Sequence, residues 1–225
     1  MPDITILFAE DDHNLGFVTK EGLEEAGYDV IWCKNGEEAW KAFGGQNLCL
    51  IDIMMPKMDG FTLAEKIREK DELTPILFLT AKSLEEDRLR GFEIGGDDYI
   101  SKPFSMQELV YRLQVFLRRT GEQDNANDEF DFGNCQFDFQ NLLLIVSGHT
   151  QSLTQREGEL LNLLLANKNQ LVKREEILEK IWGENDYFMG RSLDVFVSRL
   201  RKYLKSDSAV EIKNHHGVGF VLSCK

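Results

Sequence analysis

Glu10-Asp11-Asp12, Asp52, Thr80 and Lys102 lie far apart in the chain, yet each stands at the end of a short apolar run. Crowded carboxylates repel, and each resists ionisation unless a cation neutralises the group. An all-oxygen set of this kind favours a hard divalent ion, and Mg²⁺ typically takes one or two carboxylates and keeps waters. A carboxylate nucleophile can take up a phosphoryl group as an acyl phosphate. The metal and a lysine would then share the charge on the transferring oxygens. A hydroxyl such as that of Thr80 could hydrogen-bond a phosphoryl oxygen on arrival. Taken singly, an acidic residue at a strand end is commonly a helix cap or a solvated loop residue, and Lys102-Pro103 is a turn. Their joint placement is what makes a site.

That placement depends on the elements around these residues. Ile4–Phe8, Tyr28–Trp32, Leu48–Ile53, Ile76–Leu79 and Tyr99–Ile100 are apolar runs about 20–28 residues apart, room for one strand and one helix each. Continuous apolar character suits strands covered on both faces. Leu15, Val18, Leu23 and Ala26, then Phe61, Ala64, Ile67 and Arg68, then Leu109, Leu113, Phe116 and Leu117 keep helical spacing between or after the runs. The alternation predicts an α/β doubly wound, five-stranded parallel sheet over residues 1–120. In such sheets ligands bind outside the carboxyl ends of the strands, where all the residues above fall.

Residues 121–128 contain one apolar residue in eight and read as a linker. Past it the texture changes. Phe130, Phe132, Phe137, Phe139, Leu142–Val146 and Gln151–Leu153 suggest short strands joined by tight turns such as Ser147-Gly148. Thr154-Gln155-Arg156-Glu157 is a capping box opening a Leu-rich helix to about Asn167. A second helix is expected over Lys173–Trp182, a loop over Gly183–Gly190, a third helix over Arg191–Lys205 and a terminal hairpin after it. Residues 129–225 thus form a second domain, of α+β class.

The chain has 225 residues and a formal net charge of −13, which argues at first against a nucleic-acid partner. The distribution argues otherwise: Lys+Arg against Asp+Glu is 14 to 23 over residues 1–120, 5 to 13 over 121–190 and 7 to 3 over 191–225. A local basic surface can bind phosphates on an acidic protein. On the third helix Leu193, Phe196, Val197, Leu200, Tyr203 and Leu204 share an inner face. Arg191, Val195, Ser198 and Lys202 share the opposite one, flanked by Arg199 and Arg201. No apolar run approaches the roughly 18 residues of a membrane span, and the start lacks a basic region followed by an apolar stretch, so neither a membrane segment nor a signal peptide is expected. Cys33, Cys49, Cys135 and Cys224 show no metal or redox spacing. The expected location is the cytoplasm.

Phe8-Ala9-Glu10-Asp11-Asp12, Asp52-Ile53-Met54-Met55-Pro56-Lys57-Met58-Asp59-Gly60, Thr80-Ala81-Lys82 and Asp97-Asp98-Tyr99-Ile100-Ser101-Lys102-Pro103-Phe104 resemble the motifs of response-regulator receiver domains, in the same order. The resemblance implies Asp52 as phosphoacceptor, served by a sensor histidine kinase. It implies Mg²⁺ held by Glu10, Asp11, Asp52 and the backbone carbonyl of Met54, and Lys102 as the phosphoryl contact. Thr80 and Tyr99 would be a switch pair, the hydroxyl moving toward the phosphoryl group as the ring turns inward. Asp12 is expected as a helix cap or a carboxylate behind the metal ligands rather than a ligand itself, Lys82 near the site, and Lys102-Pro103 as a cis peptide.

Leu153–Glu157, Val172–Leu178, Ile181-Trp182-Gly183, Arg191–Tyr203 and His216–Phe220 resemble the winged-helix output domain of the OmpR/PhoB family, with Bacteroides-type regulators the nearest likeness. By that resemblance Arg191, Ser198, Arg199, Arg201 and Lys202 would approach promoter DNA. Asn214–Gly219 would be the wing, with Asn214 and His216 at the DNA, and Gly183–Gly190 would be the loop that can touch RNA polymerase. His216 stands where an Arg is common. Gly158 replaces a large apolar residue, opening a gap without evident purpose. The family pattern also implies a receiver homodimer formed on phosphorylation, with ion pairs Arg88–Glu108, Asp98–Arg112 and Asp97–Arg119 across the two-fold. A Mg²⁺-dependent phosphohydrolase on the same rim would need a water-activating base and a substrate pocket, and neither is visible in the sequence. A receiver that dimerises without phosphorylation is the other alternative, against which the intact acidic set argues. Beyond taking up and slowly losing its own phosphoryl group, no enzymatic activity is expected.

Overall fold

A computed structural model describes residues 4–81, 85–117, 129–183 and 187–224, the side chains of 85, 86, 88 and 187–191 excepted. The chain divides into two compact units, Met1–Glu122 and Gln123–Lys225. The expected linker 121–128 lies outside the described residues, as does Lys82.

In the first unit, strands β1 (Thr5–Ala9), β2 (Asp29–Cys33), β3 (Leu48–Asp52), β4 (Ile76–Ala81) and β5 (Asp98–Lys102) alternate with helices α1 (His13–Glu25), α2 (Gly36–Ala42), α3 (Gly60–Lys70), α4 (Glu85–Ile94) and α5 (Met106–Leu117). The sheet is parallel throughout, in the order β2-β1-β3-β4-β5. Every residue of β3 is buried, as expected of a strand covered by helices on both faces. Leu50, Leu77 and Ile100 pack beneath Leu109 and Leu113 of α5. Burial also pushes the Cys49 thiol up to about 12, so it behaves as a small apolar side chain.

The order reverses between β1 and β3, which places a crevice at their carboxyl ends. Asp59 caps α3, accepting the Thr62 N–H at 2.9 Å. Gly60 lets that helix start tight against β3, because a Cβ there would lie 2.3 Å from the Asp52 carbonyl oxygen. One expectation about α1 fails. Gly16, Thr19 and Leu23 are its buried residues, whereas Val18 is 60% exposed. The Trp32 ring occupies the space beside Gly16, where a Cβ would lie 2.1 Å from it, and this sets which face of α1 turns inward.

The second unit begins with a four-stranded antiparallel sheet of β6 (Glu129–Phe132), β7 (Cys135–Asp138), β8 (Leu143–Val146) and β9 (His149–Ser152). Helices α6 (Gln155–Ala166), α7 (Arg174–Trp182) and α8 (Tyr187–Leu204) follow, with β10 (Val172–Lys173), β11 (Val210–His215) and β12 (Gly219–Cys224) forming a sheet ordered β10-β12-β11. The capping box closes through Glu157, whose carboxylate accepts the Thr154 N–H at 3.0 Å. The third helix begins at Tyr187 rather than Arg191, so part of the expected 183–190 loop is helical. Gly190 costs about 1 kcal/mol of helix propensity. Burial of Leu193, Phe196, Val197 and Leu200 along the same helix is enough to carry it through that residue. Asp207 ties the β6–β7 turn to the segment before β11. It accepts the N–H groups of Asn134 (2.6 Å) and Ala209 (2.9 Å), bonds that hold its carboxyl below the usual range.

The gap at Gly158 is filled. A Cβ there would lie 2.3 Å from Leu142 Cδ2 and 3.8 Å from Phe137. Leu142 is buried and holds φ 52°, a left-handed conformation rare for a branched side chain. Its side chain is thus a knob from the sheet seated in the hole that Gly158 leaves in α6. Alanine at 158 would gain about 1 kcal/mol in propensity but overpack the seat at a typical cost of about 1–3 kcal/mol. Gly158→Ala should therefore destabilise the chain in denaturant titration, and should stabilise it when combined with Leu142→Ala. Stabilisation by Gly158→Ala in both backgrounds would contradict the knob-in-hole contact.

Candidate functional site

The carboxyl ends of β1, β3 and β5 converge on one half-buried ammonium. Lys102, the last residue of β5, reaches Glu10 Oε2 at 2.6 Å and Asp52 Oδ2 at 2.8 Å. The following peptide, Lys102-Pro103, is cis. Glu10 is fully buried and Asp52 nearly so, while Asp11 is exposed. Glu10, Asp11 and Asp52 each offer an oxygen within 4.8 Å of the others. Burial pushes the Glu10 carboxyl above its ordinary value; the Lys102 bond opposes this and the Asp52 charge adds to it. Burial works against the Lys102 ammonium, but its bonds to Asp52 and Glu10 outweigh that and hold its pKa up.

Among the described residues one ammonium, bonded to Glu10 and Asp52 but not to Asp11, stands against three carboxylates, a formal excess of two negative charges. A hard divalent cation matches both the excess and the all-oxygen donor set. The loop geometry is fixed around this cluster. Asp12 caps α1, accepting the N–H groups of Asn14 (2.8 Å) and Leu15 (3.0 Å), so it is spent on the helix rather than on the cluster. The Met54 N–H donates to Asp52 Oδ1 at 3.2 Å, and the Met54 side chain is 77% exposed beside the site. Trp32, which the sequence did not single out, donates its indole N–H to the Glu10 carbonyl at 2.9 Å and so steadies the acidic loop. Nothing in its spacing marks that role.

Thr80 is buried one residue from the end of β4, and its hydroxyl donates to the Ala81 carbonyl at 3.4 Å. The Tyr99 ring already lies inward, 3% exposed, with ring centres 5.1 Å from Phe78 and 4.8 Å from Phe92.

Within the chain, residues expected to pair across a two-fold make contacts of their own. The Asp97 carboxylate is buried, accepting from Arg68 at 2.9 Å and from the Ile76 N–H at 2.9 Å. Arg112 reaches both Asp98 and Glu108 of its own chain, each at 3.4 Å. Buried carboxylates need compensation inside the fold, and Arg68 and Arg112 supply it. Arg68 also binds the carbonyls of Gly95 and Thr74. Its spacing had read as part of an apolar stripe on α3. The Arg88 side chain and Arg119 lie outside the described residues.

In the second unit Ser198, Arg201 and Lys202 are exposed along α8, and Asn214 and His216 are exposed at the β11–β12 hairpin. Arg201 Nε donates to the Ile212 carbonyl at 2.9 Å, beside a cleft of about 710 Å³ that also presents Lys205, Lys213 and His215. Arg199 departs from expectation. It is held at 3.1 Å by the buried Glu157, which also accepts from Tyr203 at 3.3 Å. Its guanidinium anchors α8 to the start of α6. The Arg191 side chain lies outside the described residues.

Residues 6–114 match the response regulator receiver domain, and residues 148–222 match the C-terminal domain of transcriptional regulatory proteins. The chain is 45% identical to the transcriptional regulatory protein RprY of Bacteroides fragilis, over 97% of this chain and 94% of that one. It is 37% identical to TrcR of Mycobacterium tuberculosis, over 97% and 86%. Among solved structures, DrrB of Thermotoga maritima, described as an OmpR/PhoB homolog, aligns with a TM-score of 0.53 at 29% identity, covering 98% of this chain and 99% of DrrB. No helix among the described residues is long and apolar enough to cross a membrane. With a receiver fold carrying an acidic crevice, followed in the chain by a winged-helix domain, the chain belongs to the OmpR/PhoB family of two-component response regulators, which act in transcription through DNA binding.

Proposed function

We propose that Asp52 takes a phosphoryl group from a sensor histidine kinase in the cytoplasm, and that the acyl phosphate controls receiver pairing and promoter binding. The observation that supports this reading most is the sharing of Lys102 between Asp52 and Glu10 inside a cluster with excess negative charge. Glu10, Asp11, Asp52 and the Met54 carbonyl would hold Mg²⁺, which supplies charge neutralisation to the transferring oxygens. An Asp52 oxygen forms the new P–O bond as the donor's P–N bond breaks, and the electron pair stays on the donor nitrogen. Lys102 then turns from carboxylate to phosphoryl oxygen, keeping a charge-assisted bond throughout. Thr80 rotates its hydroxyl from the Ala81 carbonyl toward the same group, and Tyr99 is its partner in the switch. Slow hydrolysis returns the chain to its starting form without making it a phosphatase for other substrates.

Residues 1–120 would act as the receiver and 129–225 as the DNA reader, joined by 121–128. Two receivers paired through the α4–β5–α5 face place two readers on neighbouring half-sites and raise their effective concentration. Asp97, Asp98, Glu108 and Arg112 contribute to that face where their pairs within the chain exchange, and Arg88 and Arg119 join them as the family pattern implies. Arg191, Ser198, Arg201 and Lys202 approach the groove and its phosphates, Asn214 and His216 the flanking backbone, and Arg199 holds the helix in place. The 183–190 segment is the surface offered to RNA polymerase.

Acetyl phosphate with Mg²⁺ should add one phosphoryl group per chain, mapped to Asp52 by mass spectrometry, and Asp52→Asn or chelation of the metal should abolish it. Labelling that survives either change would overturn the assignment. For the reader, Arg201→Ala should weaken binding to promoter DNA and lower the slope of log affinity against log salt by about 1, in a variant that gives up its bond to the Ile212 carbonyl but remains folded at the assay temperature. An unaltered affinity and slope would remove Arg201 from the interface.

A further inference from the structure

Glycine in the middle of a helix is unfavourable relative to alanine, yet Gly91 sits well inside the ten-residue α4. Its surroundings explain it. The Tyr99 hydroxyl reaches across from β5 to the Asp87 carbonyl in α4 at 3.3 Å. A Cβ on residue 91 would lie 1.4 Å from that hydroxyl oxygen, 2.7 Å from ring atom Cζ and 3.1 Å from Phe61 Cε1. The first distance is that of a covalent bond, so the phenol and a side chain at 91 exclude each other. Sideways adjustment is closed off as well: Phe78 and Phe92 flank the ring and are themselves fully buried. Phe61 is buried and packs edge-on against Phe78. Close-packed aromatic interiors give little ground to an added carbon.

We propose that Gly91 is the positioning residue for Tyr99: the space left by its missing side chain is the socket that admits the phenol to the inward position. A side chain of any size at 91 would then hold the ring outward and separate chemistry at Asp52 from its effect at the α4–β5 surface. Only this last consequence rests on the reading of Tyr99 as a switch. The socket itself does not.

The test uses the full chain with ¹³C at the tyrosine ε carbons, the Tyr99 signal being the one lost in Tyr99→Phe. In the unsubstituted chain Tyr99 should show ring-current shifts and cross-relaxation to Phe78 and Phe92. Gly91→Ala should reduce that inward population to below about a tenth, while Asp52 labelling by acetyl phosphate stays within about twofold. A stability cycle separates the socket from a general helix defect. Gly91→Ala should lower the unfolding midpoint clearly in the Tyr99 chain and less in the Tyr99→Phe background, where the 1.4 Å clash is gone and only the milder 2.7 Å approach to Cζ remains. If Gly91→Ala alone fails to fold and the double variant folds, the socket is supported. An unchanged Tyr99 signal in Gly91→Ala, or an equal loss of stability in both backgrounds, would overturn it. Absence of labelling at Asp52 in the unsubstituted chain would instead defeat the phosphoacceptor reading and leave the Tyr99 result standing.

Discussion

Three carboxylates and one ammonium meet at the carboxyl ends of β1, β3 and β5, and the charge they leave over constrains the rest of the receiver. Removing a carboxylate from water is costly unless it is paired and hydrogen-bonded. Glu10 and Asp52 meet that requirement through the same Lys102 Nζ, at 2.6 and 2.8 Å. A parallel sheet ordered β2-β1-β3-β4-β5 brings those strand ends together from positions 10, 52 and 102. The loops are then shaped to keep them there: Asp12 is committed to the α1 N-terminus, Trp32 to the Glu10 carbonyl, and Gly60 to the close start of α3. Lys102 answers one of three negative charges, so the crevice favours a divalent cation on electrostatic grounds alone.

The same rule sorts the arginines of the molecule by role. Arg68 and Arg112 compensate the buried Asp97 and Asp98, and Arg199 compensates the buried Glu157. These guanidinium groups hold elements in place. Arg201 and Lys202 lie exposed on α8, and Arg201 lines a cleft that also holds Lys205, Asp207 and the Lys213–Glu211 pair. An acidic chain with net charge −13 can still carry exposed cationic side chains on α8, because its basic residues are gathered toward the end of the chain.

Strand positions were legible because each parallel strand is a short, continuous apolar run between turns, and the acidic crevice because its residues close those runs. What escaped the sequence was set by contacts between distant segments. The seating of Leu142 in the hole at Gly158 and the space Tyr99 takes beside Gly91 both concern an absent side chain, and absence has no periodicity. Val18 kept helical spacing yet faces outward, since Trp32 claims the surface beside Gly16. The start of α8 at Tyr187 is hidden in the sequence because Gly190 resembles a boundary when its packing is unknown. Asp97 and Asp98 read as surface charges because burial, unlike residue type, is invisible until the fold assembles around them.

The link between the two halves of the chain is tested most directly with beryllofluoride and Mg²⁺, a stable mimic of the phosphoryl group on Asp52. Sedimentation and promoter-DNA titration of the full chain, with and without the mimic at fixed salt, should show a shift from monomer to dimer together with tighter binding, both lost in Asp52→Asn. Identical assembly and identical affinity in the two conditions would contradict control by phosphorylation.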